Sequence, residues 1–206
     1  MRFLNDPMML VLMLPAILWG ISFHEFCHAY AAKLAGDPTA ERHGRLTLNP
    51  MSHFDLWGTL MIVFAGFGWA KPVPINTRYF RNPRRDMFMV SIAGIAGNLL
   101  TAAVCVLILR FLGDFILATT GRTGIIMVQM MFHINIALAA FNLIPIPPLD
   151  GSKIVYSFLP FGALRYYYWL EQYGWFILIA LLVTGIIGVI LSPIMNVMRS
   201  ILFLLA

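Results

Sequence analysis

His24-Glu25-Phe26-Cys27-His28 places two imidazoles four positions apart, with a carboxylate beside the first. On an α-helix, side chains at i and i+4 share a face. Both rings can then reach one Zn²⁺ while the glutamate lies close enough to accept a proton from water at the metal. The flanks suit a helix: Gly20 is the one breaker between Ile17 and Phe23, and the residues from Ala29 to Ala35 are good helix formers. The same pattern arises by chance in soluble surface helices. Here, however, three ionisable residues fall inside a hydrophobic stretch, where they would be costly without a common partner, so the cluster reads as a functional site.

A catalytic zinc takes three protein ligands and leaves one position open. The third can come from Asp37, Glu41, His43, His53, Asp55, His133, Asp150 or Glu171. Asp150 follows Asn142-Leu-Ile-Pro-Ile-Pro-Pro-Leu149 and precedes Gly151. The prolines must end a helix entering this stretch and hold the chain extended, which would aim one carboxylate from a stiff segment. Taken alone, Asp150 reads better as the N-cap of a short helix over 151–158. His43 and His53 flank an Asn-Pro turn and read as loop residues. His133 is between about two and three helical turns from Asn142, too far to share a ligand shell with it.

The elements that must position these groups belong in a bilayer. Of 206 residues, 60% are hydrophobic and 11% charged, and the mean hydropathy is +0.82. Apolar stretches fall at 8–21, 56–70, 87–112, 125–144, 169–191 and 194–206. A spanning helix needs roughly 20 apolar residues. The third, fourth and fifth stretches suffice alone, and the first suffices if its helix continues through His28 to about Ala35. The expected fold is an all-α polytopic membrane protein of five to six hydrophobic helices. It forms one domain over 1–206, with a core at 8–160 and C-terminal helices over 165–206.

The net charge of +5 comes from basic residues concentrated between Lys33 and Arg85, which the positive-inside rule assigns to the cytoplasm. Both flanks of 56–70 are then on one side. That stretch, weakened by Gly58, Gly66 and Gly68, is expected to dip in and return as a re-entrant segment able to carry β-structure. The turn at 113–124 is then external, and Lys153 and Arg165 fall inside. Orientation accounts for the basic residues, so nucleic acid is not an expected partner. Cys27 and Cys105 stand alone and say little about redox compartment. The aromatic run Tyr166 to Trp169 reads as an interfacial belt.

Together, His24-Glu-Phe-Cys-His28 and Asn142-x-x-Pro145-x-Pro147-x-Leu149-Asp150-Gly151 resemble the site-2 protease family of intramembrane metalloproteases. The stretches His43 to Pro50, Phe67 to Asn76 and Asn82 to Asp86 are similar to its compact bacterial and archaeal members, which lack a PDZ domain. The resemblance implies one Zn²⁺ per chain held by His24, His28 and Asp150, with Glu25 as general base. It implies Asn142 as a catalytic or substrate-binding amide near the oxyanion. A further family signature, Gly-Pro-x-x-Asn, is matched by Gly94-Ile-Ala-Gly-Asn98 without its proline, which makes Asn98 a weaker substrate-site candidate; an amide between helices is more often packing glue. The implied partners are transmembrane protein substrates and the lipid bilayer, and the implied place is a prokaryotic plasma membrane with the active site toward the cytoplasm. The competing readings are a zinc-binding transporter, which gives no reason for Glu25 between the histidines, and a non-proteolytic adaptor.

Overall fold

Apolar runs without strong breakers fold into long helices in the protein, whose computed structural model describes residues 7–55, 58, 61 and 68–204. Helix α1, Pro7–Leu34, carries the histidine motif in its second half and absorbs Pro15. Gly36, at φ 102°, turns the chain after it, and a single helical turn, α2, follows at Thr39–Arg42. Residues 68–76 then run without regular structure toward α3, Pro83–Asn142. Its start is set by sequence: Asn82 accepts from Arg85 N, and Pro83, needing no donor, occupies the first turn.

Helix α3 is two arms, 83–120 and 122–142, broken at Gly121 with φ 66° and ψ −157°. A side chain at that φ would be strained, so glycine makes the reversal possible. The arms fold back on each other. Asn98 meets Asn135, while Ala102, Cys105 and Val106 pack on Phe132 and Ile136. The external turn expected over 113–124 is therefore confined to Gly121, and 113–120 remain helical. Neither Gly113 nor Gly124 breaks the helix, because a lone glycine weakens a helix without ending it.

Among the described residues, three shorter α-helices follow: α4 at Asp150–Phe158, α5 at Leu164–Val183 and α6 at Ile186–Phe203. The apolar stretch 169–191, expected as one span, breaks at Thr184 and Gly185, where φ reaches 75°. Pro193, which falls between the apolar stretches 169–191 and 194–206, lies inside α6. Helix α6 runs antiparallel to the second arm of α3: Ile187 packs with Ile144 and Leu149, and fifteen residues later Leu202 packs with Phe132 and Ile136. Helices α1, α3 and α6 are long and apolar enough to cross a membrane.

No strand occurs among the described residues. The expected re-entrant stretch 56–70 lies, apart from Gly58, Met61 and 68–70, outside them. The proline segment after Asn142 is also not extended. It coils through turns closed by Ile146 N to Ile144 O at 2.9 Å and Leu149 N to Ile146 O at 3.0 Å.

Candidate metal centre

Helix α1 presents His24 and His28 one turn apart on the face that packs against the first arm of α3. Both are buried, at 6% and 5% exposure. Gly94 and Gly97 on that arm let the two helices approach: the nearest atoms to a β-carbon on Gly94 would be those of the two imidazoles, and on Gly97 the Cys27 sulfur. The coil after Asn142 brings Asp150, 4% exposed, to the same point from the far side of the sequence. Asp150 is the first residue of α4. The cap position is Leu149, so the N-cap role open to Asp150 in the sequence is not the one it takes.

Hydrogen bonding fixes the tautomers. His28 Nδ1 lies 2.7 Å from the Val90 carbonyl oxygen, which can only accept, so Nδ1 carries the proton. His24 Nδ1 lies 2.7 Å from Asn98 Oδ1. The Asn98 amide nitrogen donates to Gly20 O and Asn135 Oδ1, each at 2.9 Å, which leaves its oxygen facing the ring. With both Nδ1 atoms protonated, each imidazole in its neutral form turns a bare Nε2 lone pair inward. The two Nε2 atoms lie 2.9 Å apart, and Asp150 Oδ2 lies 3.1 Å from His24 Nε2 and 2.9 Å from His28 Nε2. Three converging lone pairs repel one another unless a cation lies between them. Two imidazole nitrogens and a carboxylate oxygen are also a donor set suited to a catalytic zinc. The ligand atoms all lie within 4.8 Å of one another, so the residues present fit the metal.

Around this centre, Lys153 Nζ donates to Asp150 Oδ1 at 3.2 Å, which leaves Oδ2 to the histidines. Glu25 is half-buried on the same helix, and its Oε2 accepts from Val73 N at 2.8 Å. Asn98 is fully enclosed and its groups are consumed by His24, Gly20 and Asn135. The structure thus places Asn98 behind a candidate ligand, His24. Asn142 ends α3 half-buried, its amide donating back to Leu138 O at 3.0 Å. His43, His53 and His133 do not join the cluster: His43 and His53 bond to the Thr39 and Thr47 carbonyls, and His133 lies against Phe132.

Sequence reasoning missed Asn135, Lys153 and the backbone groups of Val90 and Val73. Asn135 carried a usable signal, being an amide in an otherwise apolar run, where a polar group needs a partner. The backbone groups carried none, because any residue supplies them.

An apolar helical bundle closed around an HExxH pair and a distant aspartate is a metallopeptidase type of centre. A profile of peptidase family M50 matches residues 116–184. A Bacillus subtilis protein described as "Putative zinc metalloprotease YwhC" is 37% identical over 97% of this chain and 93% of its own length. "Putative zinc metalloprotease Rip2" of Mycolicibacterium smegmatis is 29% identical over 84% of this chain and 67% of its own. No solved structure matches. The chain belongs to peptidase family M50, the site-2 protease family.

Proposed function

We propose that this protein is an intramembrane zinc metalloendopeptidase. It would cut peptide bonds within or near transmembrane segments of other membrane proteins, in regulated intramembrane proteolysis. The observation that carries the proposal is the convergence of His24 Nε2, His28 Nε2 and Asp150 Oδ2 on one point, the two histidines on the helix that also carries Glu25. These three residues hold one ion per chain. Zinc, when bound, supplies Lewis acidity for a carbonyl and lowers the pKa of water to about 7.

Glu25 takes the proton of the attacking water and passes it to the leaving amine. With Oε2 held by Val73 N, Oε1 is the oxygen that carries this proton. Asn142 donates its amide to the oxyanion, which requires the side chain to turn away from Leu138 O. Burial of the histidines and aspartate limits bulk water at the centre. A substrate helix keeps its amides bonded internally, so it must unwind near the scissile bond before its carbonyl can approach.

The concentration of Lys and Arg between 33 and 85 supports a multi-pass protein of the plasma membrane with this site on the cytoplasmic side. The test is cleavage of transmembrane peptides by purified protein in detergent. Activity that is lost to a chelator and restored by zinc is expected. Cleavage indifferent to the chelator would overturn the proposal.

A further inference from the structure

Asp37 lies just past the end of α1 and is fully enclosed, at 0% exposure. A buried carboxylate is costly unless donors surround it. Here Oδ1 accepts from Thr39 N at 2.9 Å and from the Thr39 hydroxyl, while Oδ2 accepts from Asn76 N at 2.6 Å. The Thr39 contacts alone would suffice to order the turn into α2. The Asn76 contact reaches 39 positions along the chain, which a local turn does not need.

Asn76 ends the same irregular segment whose Val73 N–H is bonded to Glu25. Between those two bonds, Val73 packs on Ala29 and Ala40, and Ile75 lies against Ala32 and Phe80. Two carboxylates, one on α1 and one just beyond it, therefore grip the backbone of one segment three residues apart.

We propose that Asp37 is a positioning residue for Glu25: by holding Asn76 it fixes the Val73 N–H against the Glu25 carboxylate. Asp37 touches neither substrate nor metal. It acts through the 73–76 backbone, and the inference rests on Glu25 being the proton carrier proposed above. Asp37→Asn keeps the shape of the side chain but loses the charge that holds two segments.

The test compares zinc-loaded full-length wild type, Asp37→Asn and Thr39→Val by residue-resolved amide hydrogen exchange, zinc content and peptide cleavage. In Asp37→Asn the Val73 amide should exchange about tenfold faster, as loss of one hydrogen bond implies, and kcat should fall about tenfold or more. KM, zinc content and exchange along α1 should stay at wild-type values. Thr39→Val retains the Asn76 bond and should match wild type in every readout. Coupling between the two contacts is reciprocal, so Glu25→Gln should speed exchange of the Asn76 amide, a readout that needs no Asp37 variant to fold.

Unchanged Val73 exchange in Asp37→Asn, or unchanged Asn76 exchange in Glu25→Gln, overturns the inference. So does a Thr39→Val protein that behaves like Asp37→Asn, because Asp37 would then serve only the local turn. Wild-type protein silent toward peptides but with coupled exchange intact would remove the proteolytic reading and leave the coupling standing.

Discussion

A β-carbon on Gly94 would lie 2.5 Å from His28 Nε2 and 2.7 Å from His24 Cε1. The absence of a side chain at that point on α3 is therefore part of the candidate metal centre, as much as the residues that reach into it. Both neighbours are rings held by hydrogen bonds at Nδ1, so they cannot yield without giving up a bond. Gly94→Ala should lower zinc affinity by about 10- to 100-fold, in the range of lost support around a metal ligand, with helix content retained. Competition with a chelator of known affinity measures it; wild-type affinity would mean the rings have room the structure does not show.

Asn98 holds the His24 tautomer, and Asn135 holds Asn98. Asn98→Leu leaves the Nδ1 proton of His24 buried without an acceptor, and zinc affinity should again fall by about 10- to 100-fold. Asn135→Leu removes one of two acceptors for the Asn98 amide and should have a smaller effect in the same direction. A larger loss in Asn135→Leu than in Asn98→Leu would reverse the assigned order of the chain.

Glu25→Gln retains size and one acceptor but cannot take a proton. Zinc content and substrate binding should be preserved, while turnover falls by at least about 10² to 10⁴. A glutamine variant with wild-type turnover would assign proton transfer to another group.

The antiparallel run of α6 along the second arm of α3 carries Leu204 toward the Gly121 end of the bundle. Cysteines placed at Thr119 and at the exposed Leu204 should therefore react with an impermeant thiol reagent from the same side, in a background without Cys27 and Cys105. Cysteines at Thr47 and Thr77 should react from the opposite side. Labelling of Leu204 together with Thr77 would show that α6 does not cross as its packing requires.

The parts of this fold legible in sequence are those where spacing and chemistry coincide. His24 and His28 fall on one face because four residues nearly complete a helical turn, and α1 continues through them as its composition requires. The prolines after Asn142 do end the helix, but their coiled path depends on tertiary contacts that composition does not encode. The reversal within 113–124 was legible, but its confinement to Gly121 and the break at Gly185 were not, because many glycines in apolar helices remain helical. The gap between the stretches 169–191 and 194–206 does not end a helix, since apolar helices accommodate a proline such as Pro193 inside them. Asn98 was visible as a polar residue, yet its partner was not, because that depends on how closely α1 and α3 approach.

The meeting of His24 and His28 with Asp150 joins positions 126 and 122 residues apart in the chain. During biosynthesis the histidines leave the ribosome long before the aspartate exists, so the site cannot close until the second arm of α3 has inserted and turned back. With both imidazoles neutral, the three donors oppose that closure until a cation lies between them. On the proposed reading metal acquisition would be linked to folding, since binding that requires the assembled site stabilises the assembled chain.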